Sequence, residues 1–279
     1  MNPEVSKTPW DASYRLVAAE KWKAKSAAMG RAVTEALVEY SHPLPGMKVL
    51  DLASGTGEPA ISLAARVGPE GHVTALDLSG DLLAIAEERA RARGLTNFST
   101  LQADAQQLPC PGQSFDLATC RFGVMFFADC DRALGELLRV LKPGARACFL
   151  AWGPCEQPYW SSIMGVVHKH VGGPLIAPGG ADAFRFAEPG SLSRQMRNAG
   201  FAGVDEESCT LPWTWPGTPE EVWEYARSVS TPFRPLLEHV PPEEWPAIQR
   251  EADIAIRAYF DGEQVKFGAE VVLASGRKA

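Results

Sequence analysis

The sequence predicts an α/β fold, a parallel sheet covered by helices on both faces. Three observations carry this. Apolar strand-like runs and amphipathic helix-like runs alternate regularly between residues 46 and 151. The segments between them are short, which favours right-handed strand–helix–strand units. The chain of 279 residues is 46% hydrophobic and 22% charged, so it can bury a large core without disulfides or metals.

Each element has its own signal. Residues 10–42 are rich in Ala, Lys and Glu and place Trp22, Met29, Val33 and Leu37 at helical spacing, which predicts one or two helices. "MKVLDL" (47–52) reads as a buried strand. "PAISLAARV" (59–67) reads as a helix, with Pro59 suited to its first turn. "HVTALDL" (72–78) is a second strand, and "GDLLAIAEERARARG" (80–94) a helix stopped by Gly94. "FSTLQAD" (98–104) and "FDLATC" (115–120) are the third and fourth strands. "CDRALGELLRVLKPG" (130–144) predicts a helix ended by Pro143-Gly144, and "ARACFLAW" (145–152) a fifth strand.

After Trp152 the texture changes to Gly, Pro and aromatics through residue 190. "SLSRQMRNAGF" (191–201) predicts a helix and "GVDEESCT" (203–210) a strand. Residues 211–264 look helical and proline-punctuated, and "KFGAEVVLASG" (266–276) is a closing strand. The predicted organisation is an N-terminal helical lid (1–45), a ligand-binding core (46–152), and the rest of the sheet (153–279) with an inserted cap (153–190 and 211–264). All eight tryptophans lie outside 23–151, so the cap is expected to carry an aromatic-lined acceptor pocket. For most of those tryptophans, packing of the cap on the sheet is the simpler role.

Composition excludes several classes. A net charge of −7 argues against a general nucleic-acid binder, which needs phosphate-neutralising cations. Arg89, Arg91 and Arg93 alternate with acids and alanines on a solvated helix face. The six cysteines contain no pair at two-residue spacing, so no zinc or redox pair is expected and the thiols fit a reducing compartment. Without an apolar leader or a membrane-length apolar run, a cytoplasmic location is expected.

The stretch "VLDLASGTGEPA" (49–60) decides the ligand. Gly55, Gly57 and Ala60 satisfy the dinucleotide fingerprint, and Asp77 follows Gly57 by twenty residues, which taken alone fits NAD. A pyrophosphate, however, needs helix N-terminal donors and no nearby acid. Asp51 ends the first strand, Glu58 enters the helix start and Pro59 removes a donor. These acids suit a cationic ligand without phosphate, such as S-adenosylmethionine. Asp77, with Leu78 beside it, can hold both ribose hydroxyls. Asp104 can accept from the adenine amine, with the Ala105 N–H facing the ring.

With these motifs in hand, the sequence resembles class I S-adenosylmethionine-dependent methyltransferases, nearest the quinone-biosynthesis C-methyltransferase branch (methyltransferase type 11). The resemblance covers about 47–151 and rests on "VLDLASGTGEPA", "VTALDLS", "LQADAQQLP", "FDLATCRFGVMFF" and "LLRVLKPGARACF". It implies a Rossmann-like seven-stranded sheet with its last strand antiparallel. It also implies contacts from the Ser54–Gly57 backbone to the methionine portion, with Cys120 beside the cofactor and S-adenosylhomocysteine as product. There are departures. Ala53 replaces the usual first glycine, and Met125-Phe126 replaces a His pair found in many relatives. "CRFG" is not the signature of nucleobase amino methylation.

For the acceptor, expected to be a small and largely apolar molecule, Arg121 could pair with an acidic or phenolic group or make a salt bridge. Phe122, Met125, Trp152 and Tyr159 could form an apolar wall or pack the core. His168 and His170 are the nearest imidazoles. Two residues apart on a helix, they point to different faces, so no shared metal is expected and at most one could act as a base. Methyl transfer would then proceed mainly by positioning and desolvation. An NAD(P)-linked oxidoreductase and a non-methylating relative of the fold remain as competing readings.

Overall fold

The computed structural model describes residues 17–18 and 21–279. Trp10 and the first part of the predicted helical lid lie outside the described residues. Two helices, α1 (Lys23–Met29) and α2 (Arg31–Ser41), precede β1 (Lys48–Leu52), α3 (Ala60–Val67), β2 (His72–Asp77), α4 (Gly80–Ala92), β3 (Phe98–Gln102) and β4 (Phe115–Arg121). A single 3₁₀ turn, Val124–Phe126, leads to α5 (Cys130–Val140) and β5 (Leu141–Trp152). The cap begins with α6 (Pro158–Trp160), a π-helical turn at Ser161–Gly165 and α7 (Val166–Val171). Then come α8 (Ser191–Ala199), β6 (Ala202–Trp215), α9 (Pro219–Val229), α10 (Arg234–Glu238), α11 (Trp245–Arg257) and β7 (Val265–Arg277).

The seven strands form one sheet in the order β3-β2-β1-β4-β5-β7-β6. Strands β1 to β5 are mutually parallel, and β7 runs antiparallel to both β5 and β6. The expected last antiparallel strand is therefore present. The order reverses at β1, where β2 lies on one side and β4 on the other. That reversal opens a crevice at the carboxyl ends of the strands. β1 is flanked on both edges and covered on both faces, so Val49, Leu50, Asp51 and Leu52 are all buried. This explains why it reads as a continuous apolar run rather than an alternating one.

Local signals set the helix starts. Ser79 caps α4 by accepting from the Leu82 N–H, and Asp129 caps α5 by accepting from the Arg132 N–H. Thr218 and Glu221 form a reciprocal capping box at α9. Among the described residues no helix is long and apolar enough to cross a membrane.

Two sequence expectations are corrected. The helix predicted over 130–144 stops at Val140, and Leu141 already pairs with Phe115. Pro143 disfavours helical backbone at Lys142, so the stop falls before the Pro-Gly pair rather than at it. Residues 211–215, expected to be helical, extend β6, pairing from Leu211↔Ala269 to Trp215↔Val265. β6 is an edge strand, where Pro212 forfeits no ladder donor. Trp213 and Trp215 are buried and alternate with less buried neighbours, which is strand rather than helix periodicity.

Trp215 ties the sheet edge to its surroundings. It is fully buried, with its ring 5.3 Å from Trp22 and 4.8 Å from Tyr225 on α9. Trp215→Ala is expected to lower the unfolding free energy by about 3–5 kcal/mol, read by urea denaturation. A loss below about 1 kcal/mol would show that this edge contributes little.

Candidate active site

The site grows out of the turn between β1 and α3. Ala53, Gly55 and Gly57 all take positive φ (52°, 51° and 109°), so the chain reverses sharply within a few residues. Their reasons differ. A Cβ on Gly57 would lie 2.6 Å from Ile61 Cδ1 and 3.1 Å from Ala86 Cβ, so this glycine lets α3 and α4 pack. A Cβ on Gly55 would meet nothing within 4 Å, and Gly55 borders a cavity. Gly55 thus faces open space at the cavity, whereas Gly57 makes room for protein. Ala53 holds a left-handed conformation that glycine adopts at lower cost.

The turn is pinned from the next strand. The Gly55 N–H donates to Asp77 Oδ2 at 2.8 Å, and the Ser79 N–H donates to Asp77 Oδ1 at 2.9 Å. The Ser54 N–H donates to the Leu76 carbonyl and the Ser54 hydroxyl to the Asp51 carbonyl. Asp77 and Leu78 at the end of β2, and Asp104 and Ala105 after β3, follow neighbouring parallel strands at the same carboxyl edge as Gly55. Asp104 accepts from both the backbone and side-chain N–H groups of Gln106.

Asp51 has a different setting. It is fully buried and does not border the cavity. Thr119 donates to its Oδ1 at 2.6 Å, while Oδ2 has no hydrogen-bond partner. Burial pushes its pKa up to about 7, only partly offset by the Thr119 and Ser54 hydrogen bonds and the nearby Arg121 charge. Glu58 is held by Ser62 and Arg93. Cys120 is buried in the core, with its thiol raised well above the ordinary range by burial. A Cβ on Gly123 would crowd the Ala53 Cβ and the Cys120 sulfur, at 2.4 and 2.7 Å, so the glycine of "CRFG" is a packing requirement.

A cavity of about 320 Å³ joins this turn to the cap. Of the residues singled out from sequence, Gly55, Glu58, Arg121, Phe122, Trp152 and Tyr159 border it together, as does Arg89, which reaches Thr56 of the turn rather than standing on a solvated face. Phe122 has φ 56°, a costly conformation for an aromatic residue, and stacks on Trp152 at 4.2 Å with 12° between planes. Tyr159 is stacked beyond Trp152, and Trp213 stands edge-on to all three rings. Burial raises the Tyr159 phenol well above its ordinary pKa, so it stays protonated. Arg121 donates through Nη1 to Thr34 Oγ1 at 2.5 Å, and Thr34 donates to the Gly30 carbonyl.

Other predicted acceptor residues fall elsewhere. Met125 is buried in the core, and its neighbour Phe126 borders the cavity instead. His168 contacts the Gly173 carbonyl, and His170 sits between Glu244 and Glu251; neither borders the cavity. Sequence reasoning missed Thr34, Trp213 and Ser230. Helical spacing around Met29 and Val33 gave no hint that Thr34 faces an arginine of β4. The alternation of Trp213 and Trp215 could have revealed the strand that carries Trp213. Among the described residues no group of three His, Cys, Asp or Glu side chains could hold a metal ion.

A seven-stranded sheet of this order, with carboxylates closing the strands beside a glycine turn, is the architecture of class I S-adenosylmethionine-dependent methyltransferases. Residues 26–211 match the model of the ubiE/COQ5 methyltransferase family. The ubiquinone/menaquinone biosynthesis C-methyltransferase UbiE of Brucella anthropi is 33% identical over 199 residues, covering 66% of this chain and 75% of that protein. Its counterpart from Brucella abortus strain S19 is 40% identical over 141 residues, and the match spans about half of each chain, 50% and 52%. In fold, the chain is similar to an Aquifex aeolicus SAM-dependent methyltransferase, with TM-score 0.52, 21% identity and coverage of 70% and 92%. It is also similar to Haemonchus contortus phosphoethanolamine N-methyltransferase 2 in complex with S-adenosyl-L-methionine, with TM-score 0.56, 16% identity and coverage of 96% and 60%. The chain belongs to the ubiE/COQ5 methyltransferase family and is an S-adenosylmethionine-dependent methyltransferase. The oxidoreductase reading is thereby overturned.

The setting of Asp51 predicts a pH dependence. Its folded pKa of about 7 lies above the unfolded value near 4, so the native state binds the extra proton between them. The unfolding free energy of the wild type should fall as pH rises from about 4 to about 7, relative to that of Asp51→Asn. Parallel curves for the two proteins across that range, in urea titrations, would contradict this.

Proposed function

We propose that this protein methylates a ring carbon of a small quinone-type acceptor. The observation that carries the reading is one cavity with the Gly55 turn on one wall and the Phe122–Trp152–Tyr159 aromatic wall on another. The named activity of the Brucella relatives supports the quinone class.

The residues present fit S-adenosylmethionine. The Asp77 carboxylate sits at the β2 end beside the open face of Gly55, and each carboxylate oxygen can accept more than one hydrogen bond. In this reading Asp77 holds the ribose hydroxyls, with Leu78 alongside, and Asp104 and Ala105 receive the adenine. The backbone of Ala53, Ser54, Gly55 and Gly57 holds the methionine portion. When bound, S-adenosylmethionine would supply an electrophilic methyl group: the carbon–sulfur pair would stay with sulfur as a ring-carbon electron pair of the reduced, quinol-state acceptor made the new bond, and the displaced ring proton would be lost to solvent once the cavity reopened. This chain contributes position and exclusion of water. Phe122, Trp152 and Tyr159 orient a planar ring, and closure of the aromatic cap keeps the reacting atoms dry. No imidazole stands among the described lining residues, and the one carboxylate among them, Glu58, is tied to Ser62 and Arg93. The chemistry is therefore assigned to alignment rather than to a cavity base.

Asp77→Ala should weaken S-adenosylhomocysteine binding by roughly 1.5–3 kcal/mol, because a charged acceptor for two hydroxyls is lost. Calorimetric titration checks this, with NAD as control. Unchanged affinity in a folded variant would remove Asp77 from the binding site. NAD binding in preference to S-adenosylhomocysteine would overturn the reading itself.

A further inference from the structure

We propose that the acceptor is recognised as an oxyanion. It is a planar arene with oxygens on opposite sides, one of them already ionised when it binds. The ionised oxygen pairs with Arg121, and the opposite oxygen is held by Trp160 and Ser230. This inference rests on the methyl-transfer reading above and names the substrate form that the same cavity selects.

The argument starts from unsatisfied donors. Buried polar groups are almost always hydrogen-bonded, and an exception calls for a partner. Besides Trp213 Nε1, which faces the Tyr159 hydroxyl, three residues of the cavity wall carry buried polar atoms with no partner: Arg121 Nε, Trp160 Nε1 and Ser230 Oγ. Trp160 and Ser230 are 8% and 6% exposed. All three can donate, and Arg121 and Trp160 can do nothing else.

Their placement separates two ends. Arg121 closes β4 on the sheet side, where Thr34 fixes its Nη1 and leaves Nε over. Trp160 and Ser230 belong to the cap, linked through Phe233, which is 5.1 Å from the Trp160 ring and donates its N–H to the Ser230 carbonyl. Between the two ends the wall is aromatic. Asp51 and Glu58 lie close enough to act on the Arg121 charge, but neither accepts a hydrogen bond from it. A planar ligand with an anionic oxygen at one end and a neutral oxygen at the other satisfies all three donors. Its proton is lost to water before binding, which matches a cavity that offers no imidazole and whose one carboxylate, Glu58, is tied to Ser62 and Arg93. Charge-assisted bonds to guanidinium are the stronger kind, so the anion is selected over its neutral analogue.

The test is calorimetry on the full chain saturated with S-adenosylhomocysteine. The probe is 2-hydroxy-1,4-naphthoquinone, ionised at about pH 7.5, and its neutral 2-methoxy analogue is the control. The expected result is at least about tenfold tighter binding of the anion. In Arg121→Met that preference should fall to within about twofold, and Arg121→Lys should keep part of it. Trp160→Phe and Ser230→Ala, which preserve packing, should weaken both probes by about threefold or more. Equal binding of the two probes by the wild type overturns the proposal, as does no binding of the anion at about 1 mM. A preference retained in a folded Arg121→Met variant does so too. If Arg121→Met fails to fold, the Lys, Phe and Ala variants decide. Failure of S-adenosylhomocysteine itself to bind would instead bring down the methyl-transfer reading.

Discussion

The hydrogen bond from the Gly55 N–H to the Asp77 carboxylate is the constraint on which the site depends. It joins the turn after β1 to the end of β2, two adjacent parallel strands, and so fixes the backbone where the strand order reverses. A carboxylate accepting backbone N–H groups within a half-dry crevice is held in one orientation. The positive φ values at Ala53, Gly55 and Gly57 carry a conformational cost that this bond and the Ser54 contacts offset. Local backbone strain is thereby converted into an open face at Gly55, toward which the cavity extends.

The second wall is built on a different principle. Phe122 accepts an unfavourable backbone conformation, and stacking of its ring on Trp152 repays that strain. Trp152 ends β5, Trp213 comes from the edge strand β6, and Tyr159 from the cap, so three separate elements converge on one aromatic surface. A surface of this kind sets shape and dryness but little direction. In the proposed reading direction comes from a small number of polar atoms, chief among them the Arg121 guanidinium, which Thr34 on α2 fixes by a hydrogen bond.

Much of the core was legible before the structure. The strands β1 to β5 with their helices and the acids at the strand ends were readable because each is marked locally, by apolar runs, caps and glycines. The turn at 53–57 was readable as a sharp reversal at the end of β1 but not in detail. Nothing local distinguishes Gly57, excluded from carrying a side chain by Ile61, from Gly55, which faces open space. Asp51 illustrates the same limit. Its burial away from the cavity depends on Thr119 and on the strands that flank β1. Likewise Met125 and Phe126 are adjacent apolar residues in one 3₁₀ turn, and only tertiary packing decides which reaches the cavity. The extension of β6 through Trp215 was missed because prolines at 212 and 216 suggested helix punctuation, whereas an edge strand tolerates them.

The position of β7 has a further consequence for how the chain assembles. In the sheet it lies between β5 and β6, yet in sequence it follows both, and residues 216–264 separate it from β6. During synthesis β1 to β5 can pair as they emerge, but β6 has no neighbour until β7 arrives. Helices α9 to α11 emerge in that interval, before the strand that completes the surface beneath them. Order of assembly is thus written into topology: the parallel half of the sheet forms first, and the aromatic wall, with Trp213 on β6, closes last. Such long-range pairing is slow and leaves strand edges open meanwhile, so this half of the molecule is where folding is most exposed to error.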